Sequence, residues 1–270
     1  MIPTRPVDDI ALDGRTKGSY ELAGVVPPRP RLAIVGARAA LRELRCAVAP
    51  IVRVARERGM AVVSGGSMGI DAEVHERALE LAVPQLAVLP CGSDRVYPAH
   101  HEDLMRHIAA APQSGVVFAQ PHGTMPSRAM FVSRNAVVVG LVDAVLVVQA
   151  DLRSGSATTG TLALRKRLPT AAVIGTNGCA DLIARGATAL AWAEAEPDAF
   201  AARVSGWLDG RTVSTPWPES LARLRDALAD AGPKGATLDE LGGPAMATML
   251  WQAAALGLVG ETTSGRWVAQ

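Results

Sequence analysis

The residues best suited to bind a ligand lie in four short segments, each of which comes shortly after an apolar run of strand length. They span residues 36–38, 64–69, 90–92 and 154–160, and glycine, serine, threonine or arginine recurs among them. Glycine allows backbone N–H groups to approach an anion closely, and the start of a helix adds unpaired donors and the positive end of its dipole. If the four segments meet in space, their chemistry suits a phosphate or a nucleotide.

The central segment runs from Ser64 to Asp71 and contains Gly65, Gly66 and Gly69. It follows the apolar run 61–63 and precedes a segment whose apolar residues recur near the 3.6-residue period, which predicts a turn from strand to helix. A tight connection that binds nothing would use the same glycines. The turn alone therefore leaves both interpretations open.

Short apolar runs alternate with helical patterns along the middle of the chain, which indicates how these segments are positioned. Strands without polar alternation are typical of a parallel sheet covered by helices on both faces. We therefore expect a doubly wound α/β fold over residues 31–205. Ligands bind outside the carboxyl ends of strands in such sheets, so the four segments should converge on one rim. The runs are 32–35, 61–63, 85–89, 115–118, 144–148 and 171–174.

The two ends of the chain have different patterns. Residues 1–30 look like an irregular extension, and residues 206–219 like a linker. Residues 220–270 predict a small winged-helix-like domain, whose third helix carries no charged residue between Gly243 and Leu258. DNA-reading winged helices place base contacts on that helix, so a structural or protein-contact role is favoured. The three predicted helices, followed by a hairpin, are 221–229, 238–241 and 246–258.

Composition excludes several classes of protein. The 27 lysines and arginines nearly balance 26 aspartates and glutamates, so any attraction for a polyanion must be local. The three cysteines, Cys46, Cys91 and Cys179, form no CxxC pair, which argues against a disulfide framework or a zinc site. No run reaches the roughly 18 apolar residues of a membrane span, and the first thirty residues hold no signal-peptide pattern. We expect a cytoplasmic protein without a metal, another cofactor or a membrane partner.

Several motifs, taken in order, resemble the DNA-processing protein A (DprA/Smf) family. The resemblance covers about residues 31–190, and the C-terminal residues fit the family's usual last domain. It implies an extended Rossmann-like domain that binds single-stranded DNA, assists a RecA-type recombinase in natural transformation and recombination, and forms a homodimer. The motifs that carry it are Ala33–Arg38, Val63–Asp71, Ala87–Pro98, Phe131–Asn135 and Ser154–Ser156.

On this resemblance, Arg38 and Arg134 are two cations of a phosphate pocket, and Phe131 is a stacking partner for a base. The chemistry is suitable, because guanidinium groups bind phosphate with two donors and an aromatic face accepts any base. Arg134 lies among apolar neighbours, so it either pairs with a carboxylate such as Asp71 or waits for phosphate. The candidate site for single-stranded DNA comprises Gly36, Ala37, Arg38, Ser64, Gly65, Gly66, Ser67, Gly69, Phe131, Arg134, Asn135, Ser154, Gly155 and Ser156.

The sequence also departs from the family pattern at three positions. Met68 stands where an arginine is common, Ala136 replaces the last residue of an Arg-Asn-Arg run, and Gln149 replaces an acidic residue. Two cations are therefore missing from the expected pocket. These departures keep open a non-catalytic sensor of a small nucleotide-derived ligand on the related Rossmann-like scaffold.

The residues do not indicate an enzyme. No nucleophile with an adjacent base is evident, and no paired carboxylates at fixed spacing suggest hydrolysis. The Pro-Gly-Gly-x-Gly-Thr-x-x-Glu run of nucleotide phosphoribohydrolases on the same scaffold is absent. The dinucleotide fingerprint GxGxxG is also missing after the first predicted strand of the sheet, which argues against NAD. We therefore expect no catalytic residues.

Overall fold

The computed structural model describes residues 2–7, 20–124, 127–211, 219–255, 258–262 and 264–269. These residues form a nine-stranded sheet flanked by helices and a small C-terminal unit with a two-stranded sheet. The large sheet and its helices confirm the predicted extended Rossmann-like α/β fold. No helix in the described ranges has the length and apolar character needed to cross a membrane.

The strands of the large sheet lie in the order β1-β2-β6-β5-β4-β3-β7-β8-β9. All neighbouring pairs from β6 to β9 are parallel, whereas β2 runs antiparallel to both β1 and β6. The strands are β1 (Arg5–Val7), β2 (Tyr20–Gly24), β3 (Arg31–Val35), β4 (Ala61–Ser64), β5 (Gln85–Leu89), β6 (Gly115–Phe118), β7 (Ala144–Val147), β8 (Thr170–Val173) and β9 (Thr188–Leu190).

The strand order reverses between β3 and β7. Ala33 of β3 lies beside Val63 of β4 on one side and beside Val145 of β7 on the other. The chain first builds outward from β3 to β6, and it then returns to place β7 against the free side of β3. Such a reversal opens a crevice at the carboxyl ends of the two central strands, which is where doubly wound proteins bind ligands.

Alternate residues of each strand supply the cores on the two faces of the sheet. Leu32 and Ile34 belong to the core under α2 and α3, whereas Ala33 and Val35 belong to the core under α5 and α6. The helices around the sheet are α1 (Arg42–Cys46), α2 (Val48–Glu57), α3 (Ile70–Glu80), α4 (Glu102–Ala110), α5 (Arg128–Gly140), α6 (Gly155–Arg165), α7 (Asn177–Ala184) and α8 (Pro197–Leu208).

The expectation that residues 1–30 are irregular is wrong for β1 and β2. Glu21 of β2 pairs with Phe118 of β6, and both Tyr20 and Leu22 are buried in the core. Both strands are short: β2 pairs with β6, nearly a hundred residues away, and β1 pairs with β2. No local periodicity could have indicated that pairing.

The sheet unit extends slightly beyond its predicted boundary at residue 205, because α8 ends at Leu208. Most of the predicted linker, residues 212–218, lies outside the described residues. The C-terminal unit contains α9 (Ala222–Ala231), α10 (Pro244–Ala255) and the predicted hairpin, formed by β10 (Val259–Glu261) and β11 (Trp267–Ala269).

The helix predicted at residues 238–241 is a turn instead. Its start has the hydrogen bonds of a helix cap, since Thr237 N–H donates to Glu240 and Glu240 N–H donates to the Thr237 hydroxyl. Gly242 and Gly243 then take φ angles of 117° and 65°, which end the helical conformation after one turn. The winged-helix assignment of this unit stays a prediction.

Candidate functional site

A cavity of about 340 Å³ opens at the carboxyl ends of the strands beside the switch point, and we call it the switch-point cavity. Three of the four glycine-containing segments contribute to it, whereas residues 90–92 do not. The fold therefore gathers most of the predicted rim at one place. The lining residues are Val35, Gly36, Ala37, Arg38, Ala39, Ser67, Asp71, Phe131, Arg134, Asn135, Val138, Asp151, Ser154, Gly155, Ser156 and Thr159.

Four residues of the predicted site do not line the cavity: Ser64, Gly65, Gly66 and Gly69. Their role in this structure is to support its walls. The buried Ser64 hydroxyl donates to the Ile34 carbonyl at 2.7 Å, which ties the end of β4 to β3. This interaction occupies the hydroxyl donor that the sequence offered to a phosphate.

Gly69 and Gly65 are required by close packing. Gly69 has φ of 77°, and a Cβ atom there would overlap the carbonyl oxygens of Ala37 and Arg38. The next residue, Ile70, donates its N–H to the Ala37 carbonyl at 3.2 Å. A Cβ atom on Gly65 would overlap Nη1 of Arg134. The glycines thus join two loops and make room for an arginine.

Asp71 already holds two of the backbone donors that were expected to bind an anion. Its carboxylate accepts the N–H groups of Gly36 at 3.4 Å and Ser67 at 3.3 Å. The residue is only 5% exposed, and burial raises the pKa of Asp71, while Arg134 and the two N–H groups act in the opposite direction. A negative group is therefore built into the cavity floor.

Arg134 is buried beside this carboxylate, with 5% of its surface exposed. Its Nη1 donates to the Val88 carbonyl at 3.3 Å, and its Nε has no hydrogen-bond partner among the described residues. Burial lowers the pKa of Arg134, and the charge of Asp71 opposes that shift. Within the described residues the two groups form no direct ion pair, so Arg134 retains donors for a ligand in the cavity.

Arg38 lies on the exposed rim, stacked on Phe131. Its guanidinium carbon is 4.5 Å from the centre of the Phe131 ring, and the Tyr97 ring meets the same ring edge to face at 5.6 Å. This stacking holds Arg38 at the cavity mouth. It also covers one face of the ring that was expected to receive a base, so on that side the guanidinium plane is the surface that a base meets.

The start of α6 forms the remaining wall. The Ser154 hydroxyl accepts the N–H of Ala157 at 3.2 Å as a helix cap, and Asn135 donates its side-chain amide to the Gly155 carbonyl at 3.1 Å. In this structure the Ser154 hydroxyl is therefore a helix cap as well as part of the cavity lining. Ser156 also lines the cavity, at 8% exposure.

The three departures from the family pattern have distinct surroundings. Met68 is 44% exposed in the turn before α3. Gln149 is buried, and its side-chain carbonyl accepts the N–H of Leu41 at 2.9 Å, a role that needs no charge. Ala136 is half-buried on α5 and does not line the cavity.

Sequence reasoning missed Asp71 and Asp151 as lining residues. Asp71 was considered only as a possible partner of Arg134, and Asp151 follows the carboxyl end of β7, a position that could have been noticed. With Arg38 and Arg134, they give the cavity two cations and two carboxylates. The site is therefore less electropositive than its arginines alone suggest.

His75 lies deeper and does not contact Asp71. Its Nδ1 is 2.7 Å from the side-chain oxygen of Gln85, and its Nε2 has no partner among the described residues. Burial lowers the pKa of His75 to about 4. The residue is a neutral core histidine, and nowhere in the described ranges do three or more histidine, cysteine or acidic side chains gather as metal ligands would.

The fold and this cavity define a doubly wound α/β protein with an arginine-containing crevice at its switch point. Comparison with known families narrows the class further. The chain belongs to the family described as DNA recombination-mediator protein A, whose model matches residues 18–199. The family predicted from the sequence motifs is thereby confirmed.

Curated relatives share the middle of the chain. The chain is 40% identical over 169 residues to the putative DNA processing protein DprA of Mycobacterium tuberculosis H37Rv, covering 60% of this chain and 42% of that protein. It is 30% identical over 164 residues to DprA of Streptococcus pneumoniae R6, covering 58% and 57%. The chain thus spans less than two thirds of the length of these relatives.

Solved structures show the same fold. DprA of Streptococcus pneumoniae aligns with a TM-score of 0.61 at 26% identity, covering 70% of each chain. DNA processing protein A of Helicobacter pylori, whose structure concerns its single-stranded DNA binding mode, aligns with a TM-score of 0.66 at 22% identity, covering 78% of this chain and 98% of that one.

Proposed function

We propose that the switch-point cavity binds single-stranded DNA, with Arg134 holding a phosphate at its floor and Arg38 guiding the strand at its mouth. The observation that carries this proposal is that Arg134, buried to 5% exposure and without a direct ion pair to Asp71, lines an open cavity. A phosphate in the cavity can accept from its guanidinium group, and charge-assisted hydrogen bonds of this kind are strong.

The dimensions favour a single strand over a duplex. A cavity of about 340 Å³ is near the lower end of sites for small ligands and suits one nucleotide. The rim offers the Arg38 guanidinium plane, on which a base can stack without its sequence being read. A duplex presents its bases already stacked and paired, so it gains less from such a rim.

The relatives support this role. The Helicobacter pylori protein binds single-stranded DNA, and the family is described as recombination mediators. We extend the proposal accordingly to a DNA-processing role in recombination and natural transformation, in which a cytoplasmic homodimer presents DNA to a RecA-type recombinase. These partners come from the family resemblance.

In the proposed function, the protein binds single-stranded DNA and does not catalyse a reaction. Among the described residues that line the cavity, no serine or threonine hydroxyl is hydrogen-bonded to a histidine or carboxylate. The Thr159 hydroxyl donates to the Gly155 carbonyl at 2.9 Å, and the Ser154 hydroxyl caps α6. Of the two carboxylates that line this cavity, Asp71 is the buried one, and backbone donors hold it. This arrangement supplies no activated nucleophile.

A second candidate is a sensor of a small nucleotide-derived ligand. Asp71 and Asp151 favour it, because two carboxylates weaken the attraction for a polyanion and can accept hydrogen bonds from a sugar or a base. The exposed Met68 adds no charge. A sensor of this kind would prefer a nucleoside monophosphate to a DNA strand.

One titration separates the two candidates. Labelled oligo-dT, a duplex of equal length and unlabelled nucleoside monophosphates are added to the full chain at several salt concentrations. The proposal predicts tight binding of oligo-dT, weaker binding of the duplex and a fall in affinity with salt. Binding of a monophosphate without binding of oligo-dT would identify a sensor.

A further inference from the structure

A second cavity, also of about 340 Å³, lies outside the site described above, between α1, α2 and α3. We call it the arginine cavity. It is lined by Arg42, Arg45, Cys46, Ala49, Glu73 and Arg77. Three guanidinium groups thus border one opening that contains a single carboxylate.

Glu73 organises this cavity from its floor. Its side chain is 9% exposed and accepts Arg45 Nη2 at 2.7 Å and Arg77 Nε at 2.8 Å. Burial tends to raise the pKa of Glu73, but hydrogen bonds and charge from the two arginines outweigh burial, so the pKa is lowered. A fixed carboxylate of this kind orients two planar donor groups toward the opening.

The arginine cavity has more cationic side chains than carboxylates to neutralise them. Arg42 is exposed and has no hydrogen-bond or ion-pair partner among the described residues, and Arg77 also pairs with Glu80. A buried Glu73 could be satisfied by one arginine, and surface pairs contribute little to stability. The fold therefore accounts for the ion pairs that Glu73 makes with Arg45 and Arg77. It gives no structural reason for Arg42 to lie at this opening.

We propose that the arginine cavity is a second phosphate site, which holds the backbone of a DNA strand that has left the switch-point cavity. This inference rests on the proposed function, since it needs a strand in the first cavity. Helix α3 connects the two sites, because Asp71 lines one and Arg77 the other. Six helical residues separate them by roughly 9 Å along the axis. That is roughly three nucleotides at the spacing of a stacked strand.

The contact is expected to be independent of sequence. Guanidinium groups donate to phosphate oxygens in pairs, and none of the lining side chains is an aromatic group that could stack on a base. The second site should therefore add affinity and salt dependence for longer strands, with no base preference of its own.

The first test compares two lengths of oligo-dT, about four and about twenty nucleotides, by fluorescence anisotropy. Arg42→Gln should leave the short strand's affinity unchanged, weaken the long strand's about tenfold and flatten its log-log salt slope by about 0.7. Arg53→Gln is the matched control, because Arg53 is an exposed arginine on α2 that pairs with Asp198 outside the cavity. Equal affinity of Arg42→Gln and wild type for the long strand overturns the proposal.

The second test uses Cys46 as a reporter in the unmodified protein. Cys46 lines the arginine cavity and is half-buried, whereas Cys91 and Cys179 are fully buried. The long strand should slow alkylation of Cys46 by iodoacetamide, measured by intact mass, and the short strand should not. Protection by inorganic phosphate alone, with none from bound long DNA, would reject a DNA track in favour of a free-anion site.

The two proposals fail in different ways. If wild-type protein binds neither strand, the proposed function is wrong. If it binds both and Arg134→Ala weakens both, while Arg42→Gln and Cys46 alkylation remain as in the controls, only the arginine cavity has been misassigned.

Discussion

The carboxylate of Asp71 and the guanidinium group of Arg134 both border Gly65, buried in the wall of the switch-point cavity, without forming a direct ion pair. A Cβ atom on Gly65 would lie 2.7 Å from the Asp71 carboxylate and would overlap the guanidinium group. Each charge moderates the burial cost of the other. A phosphate that enters this cavity is attracted by one group and repelled by the other.

Removing either cation of the cavity should weaken single-stranded DNA binding. Arg38→Ala and Arg134→Ala are each expected to flatten the slope of log affinity against log salt by about 0.7, since each removes one phosphate contact. Arg106→Ala serves as control, because Arg106 is an exposed arginine that pairs within α4. If both cavity variants keep the wild-type slope of log affinity against log salt, DNA binds outside the switch-point cavity.

Met68→Arg should strengthen DNA binding. Met68 is 44% exposed in the turn before α3, so a guanidinium there can reach an incoming strand without entering the core. The expected gain is about 0.5–1.5 kcal/mol, measured by anisotropy with oligo-dT. Met68→Gln controls for the change of shape. Unchanged or weaker DNA affinity together with lost binding of a nucleoside monophosphate would support the sensor.

DNA affinity should rise as the pH falls toward the pKa of Asp71. Burial raises that pKa, so above it the carboxylate is charged and repels phosphate, and below it the group is neutral. Binding therefore takes up a proton. At a pH above that pKa, Asp71→Asn should bind more tightly than the wild type, by about 1 kcal/mol, and the variant should lose this part of the pH dependence. Affinity that falls at lower pH in the wild type would contradict the assignment.

Gly65→Ala should displace Arg134. The added methyl group overlaps Nη1, so the variant should lose about 1–3 kcal/mol of unfolding free energy and bind DNA as weakly as Arg134→Ala. In the Arg134→Ala background the same change should cost far less, because the space is then empty. Urea unfolding of the four proteins measures this coupling, and additive losses would show that Gly65 serves another purpose.

Acid should destabilise the protein through His75. Its folded-state pKa of about 4 lies below the ordinary value of 6.5, so the unfolded chain takes up a proton first as the pH falls. The stability present above the unfolded-state value is lost between the two pKa values, by up to about 3 kcal/mol. His75→Gln should flatten this part of the curve of unfolding free energy against pH. An unchanged curve would mean that His75 titrates normally.

The sequence predicted the central strands well, because each is a continuous apolar run. The observed bounds of β5, Gln85–Leu89, coincide with the predicted run. Strand β2 escaped prediction because its order depends on pairing with Phe118 and its neighbours in β6. The helix predicted at residues 238–241 is a turn because only one turn fits between the cap at Thr237 and the positive φ angles of Gly242 and Gly243.

The sequence predicted which side chains meet at the switch point better than it predicted what the glycines do there. Arg38, Phe131 and Arg134 do converge at the switch point. The glycines of the central turn were interpreted as donors to a ligand, yet Gly65 and Gly69 make room for groups from distant parts of the chain. The presence of a glycine does not tell whether the atoms packed against its backbone belong to a ligand or to the protein itself.

The reversal of strand order determines how late in folding the switch-point cavity can form. The walls of the switch-point cavity come from residues 35–39, 67–71, 131–138 and 151–159, on both sides of the junction between β3 and β7. Loops this far apart in sequence meet only after most of the domain has folded. A chain still being synthesised therefore cannot present the cavity until α6 has left the ribosome, so any ligand that the cavity binds can enter only after that point.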